Sequence, residues 1–274
     1  MKAMIFAAGL GTRLKPLTDT MPKALVPIAG KPMLEHVILK LKASGFTEIV
    51  INIHHFGEQI IDFLKANNNF GLTIHISDER DALLDTGGGI KKTAIFFKKM
   101  EVFSRNSSFF PKNSSAFSEK KEEFQGKTEA FLVHNVDILS NVDLKQFYQR
   151  HLESDAVATL LVSERKTARY LLFDKDNRLQ GWVNKDTKEV KPKGLPYEEG
   201  KYNEYAFSGI HVLSPEIFGY MNDKWTGKFS IIDFYLSICK DTIVKCYPAN
   251  DLKLIDIGKP ETLAKAEEFI TLFQ

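Results

Sequence analysis

The first 25 residues combine a mostly apolar stretch with the residue types that bind phosphate. Residues 2–8 predict a buried β-strand, and Gly9 and Gly11 follow it directly. Arg13 and Lys23 come shortly afterwards. Because glycines let backbone N–H groups approach a phosphate and the two cations neutralise its charge, this spacing predicts a phosphate-binding loop at the end of the strand.

The same residues exclude two familiar phosphate-binding motifs. The Walker motif ends in Gly-Lys followed by Ser or Thr, and this loop has no such ending. The dinucleotide fingerprint requires a third glycine where Leu14 stands, and a helix that opens immediately. Pro16 would lie inside that helix and remove a backbone hydrogen bond. The loop therefore belongs to neither class.

Residues 9–25 follow the pattern Gly-x-Gly-x-Arg-Leu-x-Pro-Leu-Thr and then Pro-Lys-x-Leu. This dense pattern resembles the start of the sugar-1-phosphate nucleotidyltransferases. The alternative without a function is an ordinary glycine-rich turn between a strand and a loop. The resemblance implies attack of a sugar 1-phosphate oxygen on the α-phosphorus of a nucleoside triphosphate. Pyrophosphate would leave, and a nucleotide sugar would form.

Within this family the chain is most similar to the short N-acetylmuramate-1-phosphate uridylyltransferases, which implies UTP as the nucleotide. The similarity rests on the run Asp85-Thr86-Gly87-Gly88-Gly89, on Phe207-Ser208-Gly209-Ile210, and on the absence of a C-terminal β-helix repeat. Mannose-, glucose- and heptose-1-phosphate nucleotidyltransferases and phosphocholine cytidylyltransferases share most of the first motif and stay as alternatives. A non-catalytic nucleotide-sugar-binding regulator or assembly partner is the alternative of another class.

The resemblance assigns the first loop to the nucleotide. The positions that it implies for nucleotide binding there are Ala8, Gly9, Gly11 and Thr12. Arg13 would clamp the departing pyrophosphate with its planar guanidinium, and Lys23 would place a point charge near the α-phosphate. Both match the family's catalytic cations, and the alternative for each is a solvated surface cation.

Two aspartates stand where the family holds a Mg²⁺ ion. Asp137 ends a predicted strand, and Asp256 ends another one before a helix. Carboxylates at such strand ends point into the crevice where ligands bind, and carboxylate oxygens suit Mg²⁺. The chain has Val136 where the family usually has glycine and Leu254 where relatives often have tryptophan. Neither departure removes a metal ligand, and the alternative for each aspartate is a helix cap.

The resemblance also implies which residues bind the nucleobase and which bind the sugar. Thr86 and Gly87, in a loop before a predicted helix at residues 90–97, would read the edge of a pyrimidine. The positions implied for the sugar phosphate are Lys185, Glu204, Ser208 and Gly209, and the alternative for Glu204 is a surface carboxylate. Leu171 replaces the glycine of a Tyr-Gly step that is common in the family, and this departure counts against the sugar contacts that the family makes there.

The composition limits the possible partners. The 274 residues carry 37 Lys and Arg against 35 Asp and Glu, so no global field would attract nucleic acid or an anionic membrane. No stretch approaches the roughly 18 apolar residues of a membrane span. The cysteines, Cys239 and Cys246, lack metal-ligand spacing and are expected to be reduced thiols. We therefore predict a cytoplasmic monomer or homodimer whose partners are small molecules.

Strand and helix patterns alternate along most of the chain, which predicts an α/β fold: a mostly parallel, Rossmann-like mixed sheet with helices on both faces. Residues 169–173 and 178–183 predict a hairpin within a small antiparallel sugar-side insertion. Residues 252–257 are predicted to close the sheet. We expect one domain over residues 1–274, with a polar insertion at about 98–128 that is either a surface loop or is anchored by its five phenylalanines.

Overall fold

The computed structural model describes residues 1–97, 129–249 and 251–273. The strands in these ranges are β1 (Lys2–Phe6), β2 (Pro27–Ile28), β3 (Lys31–Pro32), β4 (Glu48–Ile53), β5 (Thr73–Asp78), β6 (Phe131–Asn135), β7 (Ile138–Ser140), β8 (Ala158–Ser163), β9 (Arg169–Phe173), β10 (Leu179–Asn184), β11 (Glu189–Lys191), β12 (Asn203–Leu213), β13 (Val244–Pro248) and β14 (Leu254–Asp256). The helices are α1 (Met33–Ala43), α2 (Gly57–Ala66), α3 (Asp85–Lys92), α4 (Ala94–Phe97), α5 (Leu144–Leu152), α6 (Ile217–Tyr220), α7 (Ile231–Ile238) and α8 (Glu261–Phe273). The predicted insertion, including Phe103, Phe109, Phe110, Phe117 and Phe124, lies outside these residues.

Ten of the strands form one mixed sheet in the order β11-β10-β9-β12-β6-β1-β4-β5, and β8 joins β12 to β13. Strands β6, β1, β4 and β5 are mutually parallel, so their carboxyl ends meet at one edge. Loops that follow these strands therefore converge, as crevice-forming loops do in open α/β sheets. This confirms the predicted α/β fold with a parallel core and helices around it.

Both faces of this sheet are buried, which explains the continuous apolar run in the first strand. Ala3 and Ile5 pack into one core with α1, α2, α5 and α8, whereas Met4 packs into a second core with α3, α6 and α7. A strand that is covered on both sides reads as uninterrupted apolar sequence rather than as an alternation. None of the described helices has the length and apolar character needed to cross a lipid bilayer.

The sugar-side half is antiparallel, as the hairpin pattern predicts. Strands β9 and β10 pair in an antiparallel register that places Trp182 opposite Leu171, and β11 and β12 extend this part of the sheet. The turn between β9 and β10 contains Asn177 at φ 61°, a left-handed conformation that asparagine tolerates well. The hairpin prediction is confirmed.

The prediction that residues 252–257 close the main sheet is wrong. Strand β14 pairs with β7 in a separate two-stranded sheet, in which Asp256 is the register partner of Ile138. The backbone N–H of Ile257 also donates to the carbonyl of Asp137 at 2.8 Å. This small sheet therefore brings Asp137 and Asp256 together, although they are far apart in the sequence.

Candidate functional site

Two clefts open beside the carboxyl ends of β1 and β6. The first cleft has a volume of about 370 Å³ and is lined by residues that include Ala8, Gly9, Lys23, Thr86 and Asp137. The second cleft, of about 760 Å³, is lined by residues that include Arg13, Arg165, Trp182, Phe207 and Asp256. Their volumes lie in the range of small-molecule sites. Asp137 and Asp256, which the β7–β14 sheet holds together, stand where the two clefts meet.

The loop after β1 owes its shape to Gly11. This residue has φ +64°, and a Cβ there would lie 2.8 Å from Cγ2 of Thr18 and 3.0 Å from Cβ of Lys23. The Thr18 hydroxyl donates to the Gly11 carbonyl at 2.9 Å. Glycine at this position therefore lets the loop fold back on Thr18 and Lys23, and Thr12 begins the short 3₁₀ turn that carries Arg13.

Asn52 anchors the same loop, and sequence reasoning missed it. Its side-chain oxygen accepts hydrogen bonds from the backbone N–H of Ala7 at 2.7 Å and of Ala8 at 3.3 Å. Its amide nitrogen donates to Oε1 of Glu79 at 2.8 Å, and both side chains are about 1% exposed. In the sequence, Asn52 is only a polar residue near the end of an apolar strand, and it belongs to no motif.

Lys23 and Asp137 form an ion pair at the junction of the clefts, with only 8% of Lys23 exposed. Asp256 is half-buried, and its Oδ1 has no hydrogen-bond partner among the described residues. Burial and the neighbouring charge of Asp137 raise the pKa of Asp256, although Lys23, Arg13 and Arg165 oppose that shift. Two close carboxylates, one with a buried oxygen that lacks a partner, form a site that favours a hard cation.

Arg13 reaches the junction from the second cleft. A Cβ on Gly258 would lie 2.6 Å from Nη2 of Arg13 and 3.0 Å from Oδ1 of Asp256. The guanidinium therefore rests against the bare backbone of Gly258, next to the second aspartate. A positive charge, a carboxylate and a close backbone contact stand together at this point.

The prediction that the glycine-rich run at residues 85–89 is a loop before a helix is wrong. This run forms the first turns of α3. Glycine has a low helix propensity, but close packing decides here. The backbone N–H of Gly87 donates to the Phe229 carbonyl at 2.9 Å, and the Thr86 hydroxyl accepts from the Ile231 N–H at 3.0 Å. Thr86 lines the first cleft, whereas the backbone N–H of Gly87 is already engaged.

Replacing Gly88 by alanine is expected to destabilise the fold by about 2 kcal/mol or more. A Cβ there would lie 2.2 Å from the backbone carbonyl oxygen of Gly227, which has no flexible side chain to move away. Chemical denaturation should show the loss. Gly219→Ala is the matched control, because a Cβ at that helical position meets nothing within 4 Å. Equal stability of the two variants would contradict the packing argument.

Two of the predicted sugar-binding residues, Lys185 and Glu204, bind each other in the structure. Lys185 forms an ion pair with Glu204 at 2.7 Å, and Tyr197 hydrogen-bonds to both residues. The hydrogen bonds to Glu204 and Tyr197 raise the pKa of Lys185. Neither Lys185 nor Glu204 is among the residues that line the second cleft.

Ser208 and Gly209 lie deeper in β12. Ser208 is about 1% exposed, and its hydroxyl has no hydrogen-bond partner among the described residues. Gly209 has φ +72°, and a Cβ there would lie 2.8 Å from Nδ2 of Asn135. Glycine at position 209 therefore allows β12 to pass close to the end of β6, beside the strand that leads to Asp137.

Sequence reasoning also missed the cations of the second cleft. Arg165, Arg169 and Lys191 all line it, and Arg165 donates to the Phe207 carbonyl at 3.1 Å. Lys191 is paired with Asp233 at 3.1 Å. No family motif covers these positions, so only their placement around the cleft identifies them.

Comparisons with known proteins relate the chain to nucleotidyltransferases. The family described as "Nucleotidyl transferase" matches residues 2–272. N-acetylmuramate alpha-1-phosphate uridylyltransferase of Caulobacter vibrioides is 29% identical over 97% of this chain and 95% of its own length. The Neisseria meningitidis protein of the same name is 31% identical over 80% and 77%. D-glycero-alpha-D-manno-heptose 1-phosphate guanylyltransferase of Aneurinibacillus thermoaerophilus is 27% identical over 98% and 97%.

Solved structures share the fold. The inositol-1-phosphate CTP transferase from T. maritima superposes with a TM-score of 0.70 at 16% identity, covering 99% of this chain and 95% of its own. The family match covers nearly the entire chain, and the predicted phosphate loop and aspartate pair occupy adjoining clefts. The chain therefore belongs to the nucleotidyl transferase family and is a sugar-1-phosphate nucleotidyltransferase.

Proposed function

We propose that this enzyme transfers a uridylyl group from UTP to N-acetylmuramate 1-phosphate in a Mg²⁺-dependent reaction that releases pyrophosphate. The observation that carries the proposal is the junction of the two clefts, where Lys23, Asp137, Asp256 and Arg13 converge. A nucleotide in the first cleft and a sugar phosphate in the second would meet at this junction. We expect this reaction to take place in the cytoplasm and to supply a nucleotide sugar for cell-wall metabolism.

The aspartate pair fits a magnesium ion. Mg²⁺ prefers a few carboxylate oxygens and phosphate oxygens over a complete protein cage. Asp256 offers a buried Oδ1 without a partner in the described part of the chain, and Asp137 lies across the small β7–β14 sheet. Asp137 and Asp256 would hold the ion. When bound, it would neutralise charge on the triphosphate and help align the α-phosphate with the attacking oxygen.

The chain's own groups supply the rest of the chemistry by charge and alignment. Backbone N–H groups around Gly9 and Gly11 would bind phosphate oxygens, and Lys23 is fixed at the junction by its ion pair with Asp137. Arg13 would bind the departing pyrophosphate as a planar, bidentate donor. No side chain needs to form a covalent bond, because holding the two substrates in line removes much of the entropic cost of the reaction.

The choice of UTP and N-acetylmuramate 1-phosphate rests on the names of the uridylyltransferase relatives and on the charge of the second cleft. N-acetylmuramate carries a carboxylate in addition to the 1-phosphate, so its site needs cations for two anionic groups. Arg165 and Arg169 both line the second cleft, and neither has an ion-pair partner among the described residues. The lining also carries Glu189 and Asp233, but both are paired with Lys191. The two arginines therefore favour an acidic sugar phosphate over a neutral one.

A substrate panel tests the proposal. Pyrophosphate release should be measured for each nucleoside triphosphate against N-acetylmuramate, N-acetylglucosamine, glucose, mannose and heptose 1-phosphates, with and without Mg²⁺. We expect UTP with N-acetylmuramate 1-phosphate to give the highest kcat/KM, and chelation of the metal to abolish release. A higher kcat/KM for a neutral sugar phosphate or for GTP would replace the proposed substrates with those of the alternatives.

Arg165 and Lys185 compete for the role of sugar-phosphate ligand. Lys185 stands at the position that the family resemblance suggests. Its ammonium, however, already donates hydrogen bonds to Glu204 and Tyr197. Arg165 lines the cleft, and its charge acts on Asp256 at the junction. We therefore propose Arg165 as the main ligand of the sugar phosphate.

Arg165→Gln is expected to raise KM for the sugar phosphate by about tenfold or more, because a charge-assisted hydrogen bond is lost. Lys185→Gln should change that KM by a smaller factor, since its first effect is to free Glu204. Steady-state kinetics at saturating nucleotide separate the two. The opposite order of effects would return the role to Lys185.

The 98–128 segment is proposed to be no part of the catalytic machinery. The described residues on either side of it lie at the amino end of β1, where the Phe96 carbonyl accepts from Lys2 Nζ at 3.3 Å and Glu129 lies 3.5 Å from the Met1 amine. Both clefts lie at the carboxyl end. A single domain over residues 1–274 is likewise a proposal.

Replacing residues 101–126 with a short Gly-Ser linker is expected to leave kcat within about twofold, because loop length changes closure entropy slowly. Activity and hydrodynamic size should be measured together. A soluble deletion variant of unchanged size that had lost activity would refute the expectation. A change of size or aggregation would instead support phenylalanines that anchor the segment to the body or to a second subunit.

A further inference from the structure

A third cavity, of about 410 Å³, shares no lining residue with either substrate cleft. It lies between α1, the β6–β7 segment and α8, and we call it the Lys40 cavity after the cation on its wall. Its apolar lining includes Val37, Ile138, Val142, Phe269 and Ile270. A volume of this size with apolar walls and a few polar groups suits a small organic ligand.

Lys40 places a positive charge in this cavity without a carboxylate of the described residues in direct contact. Its ammonium donates to the carbonyl oxygen of Ser140 and to the Ser140 hydroxyl at 3.2 Å, and no carboxylate of the described residues lies within ion-pair distance. Burial lowers the pKa of Lys40 to about 8, while the more distant charge of Asp143 opposes that shift. A desolvated ammonium with one N–H left over is stabilised by an anionic ligand.

His134 adds a hydrogen-bond acceptor to the same cavity. It is about 1% exposed, and its Nδ1 lies 2.8 Å from the Asn135 carbonyl oxygen. A carbonyl can only accept, so Nδ1 carries the proton and Nε2 presents a lone pair. Burial lowers the pKa of His134 to about 4, which keeps the ring neutral. Nε2 has no partner in the described part of the chain, so a ligand hydroxyl could donate to it.

The wall of the cavity is also part of the catalytic framework. Ile138, Leu139 and Ser140 line it, and they form the whole of β7. Strand β7 begins directly after Asp137, and its partner β14 carries Asp256 opposite Ile138. A ligand that fixes β7 therefore acts on a strand that follows Asp137 directly and pairs with the strand that carries Asp256.

We propose that the Lys40 cavity is an effector site for a small organic hydroxy acid. The carboxylate would pair with Lys40, the hydroxyl would donate to Nε2 of His134, and an apolar substituent would contact Phe269 and Ile270. Binding at this site changes turnover through the β7–β14 sheet. The effector role rests on the proposed function, whereas binding itself does not.

Three matched probes test the binding. The probes are 3-phenyllactate, 3-phenylpropionate, which lacks the hydroxyl, and 3-phenyllactamide, which lacks the charge. Calorimetric or NMR titration of the full chain should show that 3-phenyllactate binds about tenfold tighter than the amide and about fivefold tighter than the propionate. Equal affinities, or no 3-phenyllactate binding at about 10 mM, would overturn the proposal.

Variants locate the site. Lys40→Met should remove the preference for the acid over the amide. Lys42 is an exposed lysine on the same helix, and its ammonium donates to the Phe70 carbonyl. Lys42→Met should keep the preference for the acid. An unchanged preference in Lys40→Met would place the acid elsewhere and overturn the assignment.

Steady-state kinetics with saturating 3-phenyllactate test the effector role, using whichever substrate pair the enzyme turns over. A change of at least about twofold in kcat or in KM for the nucleotide supports it. Binding that leaves both constants unchanged would overturn the role. Failure of the proposed substrates would appear separately, in the substrate panel without any effector.

Discussion

Asp256→Asn is expected to lower kcat by more than about 10²-fold while leaving the fold as stable as before or more stable. Removal of a group that only supports a metal ligand costs about 10–100-fold in metalloenzymes, so loss of a ligand should exceed that. The pKa of Asp256 is raised by burial and by Asp137. An acid with a raised pKa in the folded state lowers stability above that pKa, so removing the charge should relieve this cost at neutral pH.

Asp137→Asn should lower kcat as strongly but should also lower stability, by about 1–3 kcal/mol. Its side chain is the partner of Lys23, which is 8% exposed and would be left with an unpaired charge. The two variants should thus be alike in catalysis, whereas only Asp137→Asn should lower stability. A pair of ordinary helix caps would show neither pattern.

Turnover over a range of Mg²⁺ concentrations and thermal unfolding with and without Mg²⁺ measure both effects. Mg²⁺ should raise the melting temperature of the unmodified enzyme, because an ion that binds only the folded state stabilises it. Both asparagine variants should lose most of that rise. Near-normal turnover of either variant at limiting Mg²⁺ would refute the metal assignment.

Sequence reasoning succeeded where the determinants are local. The strand and loop at residues 2–13 follow from an apolar run, two glycines and an arginine, all within reach of one another along the chain. The hairpin of β9 and β10 likewise has its turn residues between its strands. In both cases the residues that shape the element are neighbours in the sequence.

It failed where the decisive contacts join distant residues. The run at residues 85–89 contains three glycines, which predict a loop, but α3 forms because Phe229 and Gly227 pack against that backbone. Strand β14 pairs with β7, more than a hundred residues earlier in the chain, and a three-residue strand does not encode its partner. Packing of this kind overrides local propensity.

The candidate site divides in the same way. The glycine loop, Lys23 and the two aspartates could be chosen from motifs, whereas Asn52 and Arg165 belong to no motif and are identified by what they contact. The predicted sugar ligands Lys185 and Glu204 lie close together, and they form an ion pair with each other. Their assignment remains a prediction that the kinetics of Arg165→Gln and Lys185→Gln will decide.

Arg13→Lys is expected to lower kcat by about 10²-fold or more although the charge is kept. Lysine lacks the planar fork that binds two phosphate oxygens at once, and its ammonium would not reproduce the position of Nη2 beside Gly258. If Arg13 acts on the departing pyrophosphate, KM for both substrates should change less than kcat. An unchanged kcat would make Arg13 a surface cation.

Gly258→Ala tests the position of the guanidinium without removing it. The new Cβ would lie 2.6 Å from Nη2, so the flexible end of Arg13 must move, and a misplaced catalytic group costs rate steeply. We expect kcat to fall by about tenfold in this variant, with Gly219→Ala as the neutral control. In the Arg13→Lys background the same substitution should cost less, because Nη2 is gone, although the contact at 3.0 Å with Oδ1 of Asp256 remains. Fully additive losses in this double-mutant cycle would show that Gly258 acts independently of Arg13.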